Sequence, residues 1–241
     1  MRGSLTALIA ASAALGGCHV HADEGGGANV SRTYSVGNFQ KIEVAGPYDV
    51  EVRTGSKPGV AAQGSERLLE RTLVEVQGDK LVIHAERRHS WFGVGWGGHG
   101  KAHFTITVPQ LSGADIAGSG DMKIDKVAAQ SFDGTVAGSG RLDVAAMDVQ
   151  QLKLSIAGSG GMTAGSGKAQ SAQYEIAGSG DLDAGAVTAQ QIKVSIAGSG
   201  GVKAHSNGTA DVSIVGSGDV DVSGGAKCTV SKTGSGSIRC S

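Results

Sequence analysis

Proline is nearly missing from this 241-residue chain, with 3 in all, and there are only 9 aromatic residues and 3 cysteines. So few aromatics beside 41 glycines would ordinarily mark a flexible or low-complexity chain. Charge of either sign is also not in excess: 21 Lys and Arg stand against 22 Asp and Glu, for a net charge of −1. Without a basic stripe the chain has no electrostatic footprint for nucleic acid. Beyond residues 5–17 no apolar run could serve as a membrane span, and that run is itself too short for a mature spanning helix.

What is present is a period. IAGSG stands at 116–120, 156–160, 176–180 and 196–200, with VAGSG at 136–140, IVGSG at 214–218 and KTGSG at 232–236. The first glycines, Gly118, Gly138, Gly158, Gly178, Gly198, Gly216 and Gly234, are 20 residues apart and then 18. Disorder has no reason to keep register, and a period of this size predicts a solenoid. Within a repeat the apolar residues alternate: QLKLSIAG (151–158) puts Leu152, Leu154 and Ile156 on one side and Lys153 and Ser155 on the other. That is the period of a strand, not of a helix.

One such unit cannot bury its own apolar side, so repeats are expected to stack like over like, as a single-stranded parallel β-helix with rungs of about 18–20 residues. One predicted core column is Met122, Leu142, Met162, Leu182, Val202, Val220 and Ile238; a second is Ile116, Val136, Ile156, Ile176, Ile196 and Ile214. Ser119, Ser139, Ser159, Ser179, Ser199, Ser217 and Ser235 then run up one edge. Their hydroxyls can link along the ladder or bond the turn backbone. Gly165-Ser166-Gly167 is out of phase with this column and reads as an ordinary turn. Outward charges form a self-neutralising column through Lys123, Asp143, Thr163, Asp183, Lys203, Asp221 and Arg239.

The first residues read as an address. Met1-Arg2 precedes an apolar run ending in Leu15-Gly16-Gly17-Cys18, which looks like a bacterial lipobox with Cys18 as the lipidated residue. Cleavage after Val20-His21-Ala22, giving a soluble secreted protein, is the alternative. With His19 after the cysteine, and not Asp, outer-membrane anchoring is expected. Residues 1–17 are thus the signal peptide, 18–31 a flexible tether, and 32–241 the β-helix domain, irregular over 32–110 and regular over 111–241.

The segments FQKIEVAGPYDVEVRTG (39–55), SERLLERTLVEVQGDKLVIHAE (65–86), FTITVPQLSGADIAGSGDMKI (104–124) and the GSG ladder together resemble the auto-transporter adhesin family with a head GIN domain. The resemblance covers nearly all of 36–241. It implies a right-handed parallel β-helix, a bacterial cell-envelope location, a proposed role in adhesion and no recognised catalytic set. VAGPYDVEV (44–52) echoes IAGSGDMKI (116–124) and reads as an opening rung, while SERLLERT (65–72) reads as a helical turn with Ser65 as cap.

Four candidate sites follow. RRHSWFGVGWGGHGK (87–101) carries Trp91, Phe92 and Trp96 on a Gly-rich loop, suited either to stacking on sugar or partner surfaces or to covering an apolar wall. His84, His89, His99 and His103 surround it but match no metal motif. Asp181, Asp183, Asp219 and Asp221 fall two rungs apart with Gly201 and Lys203 between, too dispersed for calcium or for paired-carboxylate chemistry. Cys228 and Cys240 share inward parity near the C-terminus, and an oxidising compartment favours a disulfide that caps the stack.

No cofactor or metal is expected. The expected function is non-enzymatic, adhesin-like binding of glycan or of envelope or host protein surfaces, with the membrane as partner through the lipid anchor. The alternatives are a purely structural envelope protein or a β-helix enzyme acting on polysaccharide. The oligomeric state stays open.

Overall fold

The computed structural model describes residues 28–86 and 102–241. In chain order the first part holds β1 (Asn29–Tyr34), β2 (Lys41–Ala45), β3 (Asp49–Thr54), β4 (Gly59–Ser65), helix α1 (Glu66–Glu70), β5 (Thr72–Gln77), β6 (Lys80–Ala85), β7 (Ala102–Val108) and β8 (Gly113–Gly118). The repeats follow as β9 (Asp121–Gly138), β10 (Arg141–Gly158), β11 (Gly161–Ala164), β12 (Gly167–Gly178), β13 (Asp181–Gly198), β14 (Gly201–Gly216), β15 (Asp219–Ser223), β16 (Lys227–Thr233) and β17 (Ile238–Cys240). Together they form a parallel β-solenoid of about six turns.

The shape of a turn follows from where alternation fails. In β9, Met122 and Ile124 are buried, Asp125 and Lys126 are both exposed, and Val127 is buried again. Alternation breaks a second time at the exposed pair Gln130 and Ser131, before the buried Phe132, Gly134 and Val136. The third break is the GSG corner. Three breaks make three corners and three faces: a first over residues 121–124, a second over 127–129 and a third over 131–137.

The next turn repeats this in register, with Leu142 beside Met122, Leu152 beside Phe132 and Ile156 beside Val136. Both columns read from the sequence are core columns, with Ile238 half-buried at the end of the first. Each fully buried Leu or Ile contributes about 2 kcal/mol, and only stacking of turns removes that surface from water.

The corner explains its glycines. Gly138 has φ +132°, and a Cβ there would collide with the carbonyl oxygen of Gly118. Gly140 is buried, and its Cβ would meet the Gly120 carbonyl and lie 3.0 Å from Cγ2 of Ile116. Gly165–Gly167 makes a different corner, between β11 and β12, where Ser166 Oγ donates to the Ala145 carbonyl at 3.1 Å.

The change of period from 20 to 18 has a defined location. From Ala184↔Ala204 the register of β13 on β14 jumps to Thr188↔His205, then settles at Gln191↔Thr209. Gly185, Ala186 and Val187 have no partner in β14, and one residue is gained opposite Gln190, for a net loss of two. Ser206 takes an inward place next to Ala189 and is fully buried. Its hydroxyl accepts the Gly208 N–H at 3.2 Å and lies 3.3 Å from the Thr209 carbonyl, so the rebuilt corner satisfies its own polar groups.

At the N-terminal end, 44–52 does stack on 116–124, with Val44↔Ile116 and Val50↔Met122. It is not the outermost turn, however. β6 lies against the other edge of β2, and β7 against the other edge of β3, so a further turn lies beyond it. Antiparallel strands then finish that end: β5 on β6, β4 on β7 and β1 on β4. β1 begins at Asn29, so the first strand takes up the last residues of the stretch read as a tether.

Leu69 of α1 is buried in this cap. Ser65 occupies the N-cap position but makes no side-chain cap bond; the Glu66 N–H is instead taken by the Ala28 carbonyl at 2.9 Å. Tyr48 stands where later turns carry the second glycine of GSG. It is fully buried and packs edge-on to Phe104 at 5.5 Å.

At the other end β16 pairs with β14 alone and β17 with β15 alone. Cys228 in β16 and Cys240 in β17 are joined by a disulfide, with Cα atoms 6.6 Å apart.

Candidate functional site

The serine column is assembled as one edge. All seven serines are exposed, one per turn, beside the GSG glycines. The hydrogen bonds of this corner belong to the backbone: the N–H groups of Ser139, Ser159, Ser179, Ser199 and Ser217 donate to Gly118, Gly138, Gly158, Gly178 and Gly198 at 2.8–2.9 Å. Among the described residues no side-chain hydrogen bond involves these hydroxyls, which corrects the expectation of a hydroxyl ladder. Backbone groups fill the stacking direction, and the hydroxyls are left to solvent.

Beside this edge the first face forms a trough of about 690 Å³, lined by Arg141, Thr163, Asp181, Asp183, Lys203, Asp219 and their neighbours. Three of its acids are engaged. Asp181 Oδ1 accepts the Gly201 N–H at 3.0 Å, and Asp183 Oδ1 accepts that of Gly185 at 3.2 Å. Lys203 lies 3.5 Å from Asp183. The Ser237 hydroxyl donates to Asp219 Oδ1 at 2.6 Å and its N–H at 2.9 Å, which holds that carboxyl below the usual range.

Asp181 and Asp219 each flank Gly201, and Asp183 and Asp221 each flank Lys203, so like pairs are about 10 Å apart. Among the described residues no three acids, histidines or cysteines converge as metal ligands.

The third face carries a second trough of about 480 Å³. Glu175 accepts Gln173 Nε2 at 2.6 Å and Ser155 Oγ at 3.2 Å, with Lys153 at 3.5 Å. The Gln173 amide first, then Lys153 and Ser155, hold Glu175 below the usual carboxylate range. Partial loss of hydration pushes Asp133 up, against the pull of Lys153, although the side chain is open to solvent by area. Nearer the N-terminus Lys80 bridges Glu43 at 2.8 Å and Asp115 at 3.3 Å. Exposed pairs of this kind add little to stability, about 0–1 kcal/mol each.

The corner before this face holds Gln130, Gln150, Gln170 and Gln190, all exposed. Their 20-residue recurrence is legible in the sequence, in step with the GSG repeat.

Cys18, Trp91, Phe92 and Trp96 lie outside the described residues, as do His89 and His99. The chain positions around the tryptophan segment are defined: His84 pairs with Ala45, and His103 with Asp49. β6 and β7, which flank it in sequence, stack on β2 and β3, which Gly46–Tyr48 joins. His84 lies 3.4 Å from Glu75 and His103 3.8 Å from Glu51, so these two histidines face separate acids. Among the described residues no helix is long and apolar enough to cross a membrane.

Solved structures share this architecture. A putative adhesin from Bacteroides fragilis NCTC 9343 is 23% identical with a TM-score of 0.79, covering 88% of this chain and 97% of its own. A putative lipid binding protein from Parabacteroides distasonis ATCC 8503 is 24% identical (TM-score 0.68; 90% and 98% covered). A putative adhesin from Parabacteroides merdae ATCC 43184 is 19% identical (TM-score 0.71; 90% and 98%). At these identities the likeness is one of fold. No curated protein matches the chain. The family described as putative auto-transporter adhesin, head GIN domain, matches residues 38–226, and the chain belongs to that family.

Proposed function

We propose that this protein is a non-enzymatic binding module of the cell envelope, held to the outer membrane by lipid on Cys18 and using its rigid wall as an adhesin-like surface for glycan or protein. The observation that carries the reading is the GSG corner. Packing and backbone geometry dictate both glycines and leave the serine free, yet serine fills that exposed place seven times. A rigid edge with the same hydroxyl about every 4.8 Å suits a repetitive ligand. Membership of an adhesin family supports a surface or envelope setting.

Trp91, Phe92 and Trp96 are the proposed aromatic contacts of the same ligand. Against catalysis, Asp181, Asp183 and Asp219 of the first-face trough are taken up by backbone N–H groups, Lys203 and the Ser237 hydroxyl.

A glycan array and an envelope-fraction pull-down with the Cys18→Ser chain test the reading. Capture lost in Ser159→Ala/Ser179→Ala/Ser199→Ala puts the site on that edge, and capture lost in Trp91→Ala/Trp96→Ala puts it on residues 87–101. No capture by a chain with an intact melting transition leaves a purely structural envelope protein instead.

A further inference from the structure

We propose a second, separate recognition surface: the glutamine-rich trough on the third face, which takes an extended, uncharged oligosaccharide lying along the solenoid axis. The proposal rests on the binding-module reading above and names a ligand class and a site for it.

The trough crosses five turns, from Ser131 to Thr209, and is about 19 Å long by rung spacing. Its first lane is Ser131, Gln151, Ser171, Gln191 and Thr209, in register along the stack. The corner glutamines Gln130, Gln150, Gln170 and Gln190 run along its rim. Every member of the lane carries a group that both donates and accepts.

In-register glutamines on a parallel stack ordinarily bond one another into amide ladders. Here, among the described residues, Gln173 alone of the glutamines between 130 and 191 uses its side-chain amide within the protein, toward Glu175. The other amides present an N–H and a C=O to solvent at every turn.

Charge and polarity select the ligand. The next lane runs Asp133, Lys153, Gln173, Lys193 and Asp211, two acids against two lysines, so neither an anionic nor a cationic polymer is favoured. Beneath the lanes Phe132, Leu152 and Ile192 are buried, so there is no apolar floor for a lipid chain or an apolar peptide. Vicinal hydroxyls of a neutral sugar chain match paired amide donors and acceptors, and an extended chain along the axis meets the same row at each turn.

The experiment is titration of the Cys18→Ser chain with neutral linear β-1,4-glucan and β-1,4-mannan oligomers of two to six units, followed by calorimetry and amide chemical shifts. Affinity is expected to rise with oligomer length and to fall at least tenfold in Gln151→Ala/Gln191→Ala, with an unchanged melting midpoint. Ser159→Ala/Ser179→Ala/Ser199→Ala and Trp91→Ala/Trp96→Ala should retain that binding. Oligosaccharide binding that the serine or tryptophan variants abolish and the glutamine variant keeps overturns this site while leaving the module reading intact. Failure of every neutral oligomer to bind, or binding confined to charged glycans and lost in salt, overturns the ligand class.

Discussion

Lys232 stands in register with Ile214, at the point where the column of buried branched residues ends, and its ammonium donates to the Gly236 carbonyl at 2.7 Å. An inward-side lysine on the last, singly paired strand makes the terminal edge unsuitable for a further rung. Lys232→Ile should leave an apolar end on an open edge. Light scattering is expected to give a larger, concentration-dependent mass for this variant than for the parent chain.

Within one corner the fold tolerates change very unequally. Gly178 has φ +132° and no room for a Cβ against the Gly158 carbonyl, so Gly178→Ala should cost about 2–4 kcal/mol. The adjacent Ser179→Ala should change stability by no more than about 0.5 kcal/mol. Urea unfolding of the two variants side by side measures the contrast.

Two buried tyrosines should respond to loss of the hydroxyl with opposite signs. The Tyr174 hydroxyl is buried without a hydrogen-bond partner, and burial pushes its pKa well up. Tyr174→Phe should stabilise the protein by about 1 kcal/mol. Tyr48 instead donates to Thr72 Oγ1 at 3.1 Å, that hydroxyl in turn donating to the Leu68 carbonyl at 2.8 Å. Tyr48→Phe should cost about 1 kcal/mol, and denaturant midpoints decide both signs.

Reduction of Cys228–Cys240, or Cys228→Ser/Cys240→Ser, opens a loop of 12 residues in sequence separation. Chain entropy sets the loss at up to about 3 kcal/mol. Hydrogen exchange should locate it in β16 and β17, with β9 to β13 unchanged.

Asp219 makes the last turn sensitive to acid. Its folded pKa is depressed by the two Ser237 bonds, so its contribution is present above the ordinary carboxylate pKa and is lost as pH falls through the depressed value. The protection factor of the Ser237 amide should drop over that interval. Asp219→Asn should remove the pH dependence.

Much of this was legible because the repeat supplies its own register. Once Leu152, Leu154 and Ile156 share a side, the 20-residue offset dictates which residues stack on them. The three-cornered section was not legible, since corners at 125–126 and 130–131 carry ordinary residues whose role appears only when turns are superposed. The antiparallel cap was hidden for a related reason: β5 and β6 alternate like any strand, and direction of pairing leaves no mark on alternation. At the candidate edge the position of the serines was readable and their bonding was not, because backbone N–H groups already occupy the stacking direction.

The net loss of two residues between β13 and β14 falls entirely between Ala184 and Gln191, while Gly198 still pairs with Gly216. An insertion or deletion in this molecule is therefore a local event, absorbed within one stretch of a single coil. The GSG edge acts as a fixed datum, and the opposite sides carry the slack. Length in such a chain is free to drift by whole coils or by odd residues without disturbing the alignment of the edge that faces outward.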